Sequence, residues 1–230
     1  MIKKITLITS ILLATTANAF SADQTSLQNL DGTGLDWSGN YVGLHAGYIF
    51  GDTNFCGTNA GTTICTSPGG EFNAFAGGIT FGRNWLLDNN IVAGIEADFS
   101  MGNIVSDDNS NTNITCGTVN CKTEIDWLAT IRGRLGFTHE NSLIYATGGY
   151  ATADTSFRID ATQGGELGSE RLNGYTVGAG FEHSFSHDIS VKIEYLHTDL
   201  GTLDDFGVNC PVCFTDINFN SIKVGINKKL

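Results

Sequence analysis

From Trp37 to the last residue the chain alternates apolar and polar residues, and the links between the alternating stretches run long, short, long, short. Strand-like stretches read at 39–50, 72–85, 91–101, 123–137, 143–157, 173–185, 189–201 and 219–230. The links are 51–71, 86–90, 102–122, 138–142, 158–172, 186–188 and 202–218. A soluble sheet protein has no reason to sort its links by length. A membrane barrel does, because one rim carries tight periplasmic turns and the other long surface loops. The expectation is an all-β fold: an eight-stranded antiparallel transmembrane β-barrel with four long surface loops, short periplasmic turns and both chain ends on the periplasmic side.

The first residues set the compartment. Lys3 and Lys4 precede the apolar run Ile5 to Ala17, and Ala17-Asn18-Ala19 offers a small-x-small cleavage site before Phe20. This reads as a secretory signal peptide over 1–19. The run is shorter than the roughly 20 apolar residues that a membrane-anchoring helix needs. Residues 20–36 then form a periplasmic N-terminal segment, and 37–230 the barrel. The 29 Gly and 2 Pro suit closely packed strands. With Lys3 and Lys4 removed, 10 of the 12 basic residues remain against 24 acidic ones, many of these in the long links: Asp52, Glu71, Asp107, Asp108, Glu166, Glu170, Asp204, Asp205 and Asp216. Nucleic acid, which needs a basic patch, is excluded as a partner. Divalent-cation bridging of these acids to lipopolysaccharide is chemically reasonable, but the chain has no spaced calcium-loop motif.

Successive strand residues point to opposite faces, so each strand can be divided. In 91–101, Ile91, Ala93, Ile95, Ala97, Phe99 and Met101 oppose Glu96, Asp98 and Ser100. In 123–137, Ile125, Trp127, Ala129, Ile131, Leu135 and Phe137 oppose Glu124, Asp126, Thr130, Arg132 and Arg134. Ile189, Val191, Ile193 and Tyr195 oppose Lys192 and Glu194; Ile222, Val224 and Ile226 oppose Ser221, Lys223 and Asn227. The apolar faces are assigned to lipid. The lumen is expected to hold a charge network of Glu96, Asp98, Glu124, Asp126, Arg132, Arg134, Glu182, Lys192, Glu194 and Lys223. Strand 143–157 is ambiguous in phase. Tyr48, Phe50, Trp85, Phe99, Trp127, Phe137, Tyr175, Phe185 and Tyr195 fall near strand ends, as interfacial girdles do.

All six cysteines fall in long links. An exported chain oxidises, and hairpin geometry favours the local pairs Cys56–Cys65, Cys116–Cys121 and Cys210–Cys213. Cys210-Pro211-Val212-Cys213 also has zinc-ligand or redox-dithiol spacing, but no second C-x-x-C, paired His or thioredoxin-like context accompanies it. Gly178-x-Gly180 reads as barrel packing, since no strand-to-helix turn follows. His45 shares the polar face of the first strand with Gly43 and Gly47; His197 lies near the surface end of the seventh; His139, His183 and His187 fall at periplasmic turns.

Several motifs in order resemble one family. Trp37-Ser38-Gly39-Asn40-Tyr41-Val42-Gly43 is similar to the W-x-G-x-Y-x-G opening of the small porin-like outer-membrane surface antigens of alphaproteobacteria. Gly94-Ile95-Glu96-Ala97-Asp98, Asp126-Trp127 and Thr130 to Gly136 resemble its middle. Tyr145 to Ala151, Gly174 to Gly180, Val191 to Leu196 and Asp199-Leu200-Gly201 resemble its later strands. One departure is the end, Lys228-Lys229-Leu230, where such barrels usually carry an aromatic-x-Phe assembly signal. The resemblance implies bacterial outer-membrane localisation, lipid and lipopolysaccharide as surroundings, and a host-surface or hemin ligand for the loops, because some relatives are described as hemin-binding. His45 and His197 are the histidines placed to ligate hemin.

Three function classes follow. The leading one is a non-enzymatic structural and surface-interaction barrel serving envelope integrity, adhesion or antigenicity. The second is a hemin receptor or small-solute pore, against which stands the narrow interior of an eight-stranded barrel. The third, an outer-membrane enzyme, has no catalytic set to nominate and no metal site.

Overall fold

The structure is a computed structural model that describes residues 35–59, 62–107, 120–160, 166–204 and 213–230. The expected signal peptide, most of segment 20–36, Cys116 and Cys210 lie outside the described residues. Eight strands follow in order: β1 (Gly39–Asn59), β2 (Thr62–Leu86), β3 (Ile91–Asp107), β4 (Asn120–His139), β5 (Ser142–Asp160), β6 (Glu166–Ser184), β7 (Ile189–Asp204) and β8 (Cys213–Lys229). Each pairs antiparallel with its sequence neighbour, and β1 pairs with β8, which closes the barrel. Closure leaves no edge strand, the condition for a sheet to stand in hydrocarbon.

The strands answer the expected stretches one for one but run further at the long-link end. β2 has 25 residues and even β7 has 16, where a membrane crossing needs about 9–11. Most of the expected first loop, 51–71, is therefore ladder: β1 and β2 stay paired from Gly51↔Phe72 to Asn59↔Thr62. This register sets Cys56 directly opposite Cys65. The short links hold as turns. Glu140 takes a left-handed φ of 52°, and Asn89 and Asn90 take 62°, the tight reversals that polar residues tolerate.

A band of outward apolar side chains circles the barrel: Leu44, Phe81, Ile95, Ile131, Ile144, Val177, Ile193 and Val224 are all exposed. Aromatic residues bound it, with Trp85, Phe137 and Phe185 at the turn end and Tyr48, Phe75, Trp127, Tyr150, Tyr175 and Tyr195 at the loop end. Three of these tyrosines donate to asparagines just above them: Tyr48 to Asn73 at 3.0 Å, Tyr150 to Asn173 at 2.6 Å and Tyr195 to Asn220 at 2.8 Å. Rings below and hydroxyls above mark an interface between apolar and wet layers. Phe75 to Trp85 spans about 33 Å along β2, or about 25 Å along the axis at the usual tilt, the height of a membrane barrel's apolar band. We expect Ile193→Arg to cost about 2–4 kcal/mol in a refolding titration into lipid; a neutral result would reverse the assignment of inside and outside.

Above the loop-end girdle the pattern inverts. Ile49, Ala74, Ile104, Ile125, Leu128, Ala151, Ala153, Leu172, Leu200, Ile217 and Phe219, contributed by all eight strands, point inward and form one buried cluster. Within β8 the apolar residues change parity between Phe219, inside, and Ile222, outside. In β4 a bulge does the same: the register with β5 shifts between Ile125 and Trp127, so Trp127 faces out while Ile125 faces in. This corrects two expectations. Asp126 is the extra residue of the bulge and is exposed, and Glu124 falls on the face opposite the inward Ile125; neither belongs to the lumenal network. Irregularities between Thr53 and Phe55, Met101 and Ile104, and Asp199 and Thr202 sit at the same rim. Gly201, at φ 75°, makes the last of these possible.

Candidate functional site in the barrel lumen

Between the two girdles the lumen is charged and filled. Four acids, Glu96, Asp98, Glu182 and Glu194, meet four bases, Arg132, Arg134, Lys192 and Lys223, and all eight are buried. Arg132 is central and fully enclosed. Its guanidinium bonds Glu96 and Asp98 from one nitrogen and reaches Glu194 at 3.4 Å from the other. Lys192 lies 2.8 Å from Glu96 and 3.3 Å from Glu194. Lys223 lies 3.7 Å from Asp98. Arg134 donates to Glu182 at 2.8 Å, and Glu182 also accepts from Ser190 at 2.5 Å and from Asn227 at 2.9 Å. The layer is neutral as a whole, and β3, β4, β6, β7 and β8 each supply part of it. Glu96, Asp98 and Glu194 are close enough together to resemble a metal cradle, but Arg132 and Lys192 already occupy their oxygens.

Two tyrosines outside the expected set complete the layer. Tyr41 donates to Glu96 at 2.8 Å and accepts from Arg134 at 3.1 Å; Tyr145 donates to Glu194 at 2.8 Å. The Arg134 guanidinium sits between their rings, 5.4 Å and 4.5 Å from the centroids. Each ring lies over a cross-strand glycine: a Cβ at Gly82 would fall 2.2 Å from Tyr41, and one at Gly180 2.4 Å from Tyr145. Only glycine leaves room for these rings to lie flat on the opposite strand. Tyr41 was findable, since it shares parity with Gly43 and His45.

His45 stands at the loop-side edge of this layer. Thr80 donates to Asp98 at 2.6 Å, so its oxygen accepts from His45 Nδ1 at 3.0 Å; Nε2 then accepts from Ser100 at 2.9 Å. Both ring nitrogens are occupied and the residue is buried, so His45 does not fit an axial haem ligand. His197 is half-buried on the outward face, beside the Tyr195–Asn220 pair, with Nδ1 3.1 Å from Asn220. The two histidines are not brought together.

The lumen is closed at both ends. The apolar cluster of eleven residues lies above the charged layer. Below it, Trp37 folds into the periplasmic mouth against Leu35, Val92, Leu143 and Tyr145. Lys229 bonds the Asp36 carbonyl at 2.9 Å and its carboxylate at 3.3 Å, tying this segment to the end of β8. Partial burial of Asp36 opposes ionisation, but the Ser38 amide and the Lys229 ammonium outweigh it and hold the carboxyl below its ordinary range.

An apolar belt around a filled, neutral lumen defines a small outer-membrane β-barrel that resides in the bacterial outer membrane. The family model for the outer membrane protein beta-barrel domain matches residues 9–228, and the chain belongs to that family. It is similar to the 31 kDa outer-membrane immunogenic protein of Brucella melitensis, with 31% identity over 209 residues covering 85% of this chain and 84% of that one. It is also similar to a 22 kDa outer membrane protein of Rhizobium leguminosarum, at 29% identity over 84% of this chain and 78% of the relative. The fold matches the outer membrane protein OprG of Pseudomonas aeruginosa with a TM-score of 0.50 at 8% identity, covering 84% of this chain and 96% of that one. These relatives place the chain among the small surface-antigen barrels of alphaproteobacteria.

Proposed function

We propose that this protein is a closed structural barrel that anchors and presents its surface hairpins, and that it does not conduct solutes. One observation carries the reading: the charged layer is sealed by an apolar layer to which every strand contributes. A hydrated ion or sugar crossing the barrel would have to break the Arg132 bonds and then pass the packed side chains of Phe219, Leu200 and Ile217. The cost of opening buried ion pairs, several kcal/mol each, makes spontaneous passage rare. The Ser100–His45 contact, the nearest approach to a nucleophile and its base, sits between these seals, where a substrate cannot reach it.

Reconstitution into a planar bilayer is expected to give no stepwise conductance, while heat-dependent migration on a detergent gel shows that the barrel has folded. Discrete steps of uniform size from folded protein would establish a pore and overturn the proposal. In the same preparation, trimming 108–119 or 205–212 should leave the migration unchanged and reduce recognition by antibodies against intact cells.

A further inference from the structure

We propose that Arg83 and Lys228, with Trp85, form a site for the phosphate of an anionic phospholipid in the periplasmic leaflet. The two bases stand on strands β2 and β8, on either side of β1. Arg83 pairs with Asn40 of β1, and Lys228 with Val42. Their Cα atoms are therefore two strand spacings apart with a two-residue stagger, about 12 Å. That is within the joint reach of two long basic side chains converging on one phosphate.

Both residues point outward and are exposed, on the parity that carries Phe81, Ile226 and the rest of the apolar band. Among the described residues neither side chain makes a hydrogen bond or an ion pair. The Arg83 guanidinium lies over the ring of Trp85, 5.6 Å from its centroid. Stacking of this kind holds a guanidinium flat with its donor edge free, and Arg offers that edge to phosphate in two-pronged fashion. Ile95, Val42 and Leu44 floor the site with apolar surface that an acyl chain can cover.

Position supports the same partner. The outward acids of the strands, Glu124, Asp126, Asp154, Asp199 and Asp216 among them, gather at the opposite, loop-side rim. At the turn-side rim Asp36 is held by Lys229, and the remaining described acids there, Asp88, Glu140 and Asp188, stand in the turns beyond the strand ends. The basic pair is thus the part of the described lipid-facing surface suited to an anionic head group, and it sits in the leaflet that contains phospholipid. Basic residues at a membrane surface are attracted to anionic lipid by about fivefold each, or about thirtyfold for two.

The test is native mass spectrometry of the refolded full chain in zwitterionic detergent, titrated with phosphatidylglycerol or phosphatidylcholine. The wild type should retain phosphatidylglycerol preferentially. Arg83→Gln combined with Lys228→Gln should weaken that retention about thirtyfold, while Arg171→Gln at the other rim should leave it unchanged. Equal retention of the two lipids by the wild type, or undiminished phosphatidylglycerol binding by the double variant, would overturn the proposal. If the double variant fails to show heat-dependent migration, Lys228→Gln alone, at an exposed strand end, should still show about a fivefold loss. No loss there is equally decisive against the site.

Discussion

Arg132→Leu is expected to lower folding stability by about 3–5 kcal/mol, because removing one partner strands the others as buried, uncompensated charges. Arg132 is fully buried and bonds Glu96, Asp98 and Glu194 together. With it gone, Lys192 still faces Glu96 and Glu194, but Asp98 is left with Lys223, at 3.7 Å, the Thr80 hydroxyl and the more distant His45 ring, at 3.9 Å. The measurement is a urea titration of refolding into lipid vesicles, followed by tryptophan fluorescence. Adding Asp98→Asn to Arg132→Leu should recover part of the loss, since the deficit is one of charge rather than volume. A loss below about 1 kcal/mol, typical of an exposed pair, would mean that water enters the lumen and that the closed-barrel reading is wrong.

Phe219→Ala is expected to cost about 3–5 kcal/mol, the range for truncating a large side chain in a packed core. Phe219 is fully buried, and the backbone of Gly51 closes against it: a Cβ at Gly51 would fall 3.0 Å from the Phe219 Cα. Ile49, Leu200 and Ile217 belong to the same cluster. In an ordinary membrane barrel an inward residue at this level faces water, and truncation costs little. The same titration decides between the two, and a cost near zero would show that the loop-side interior is wet. Phe75→Ala, on the outward face at a similar height, should cost less, because that side chain is 78% exposed and meets lipid or the interface in place of a core.

Much of this arrangement was legible in the residues, and its gaps have physical reasons. β3, β7 and the last turns of β8 show two clean faces, because large aliphatics alternate with charges; their lumenal members Glu96, Asp98, Lys192, Glu194 and Lys223 lie inside. β5 gave no phase. Ala146, Gly148, Gly149, Ala151 and Ala153 are small on both faces, and small residues carry no preference for lipid over lumen. Its Leu143, Tyr145, Ala151 and Ala153 in fact point inward. The bulge in β4 was invisible for a different reason. Ile125, Trp127 and Ala129 keep an unbroken alternation in the sequence, and only the pairing with Thr155 and Asp154 shows that a residue has been inserted between the first two. Length was the other gap. Strand residues beyond the girdle have the polar, Gly-rich composition of loops, yet they keep pairing because their neighbours do.

The inverted outer half has a bearing on how such a protein can change over time. The membrane belt answers to lipid, and the outer half answers to its own interior, so the two obey separate constraints on sequence. The β1–β2 ladder rises about 30 Å past the girdle before it turns. Residues added at that turn meet neither the bilayer nor the charged layer, and doubling a flexible loop costs only about 0.6 kcal/mol of closure entropy. A lineage under selection at the cell surface can therefore rewrite the tips of its hairpins, while the part that must insert and seal stays as it was.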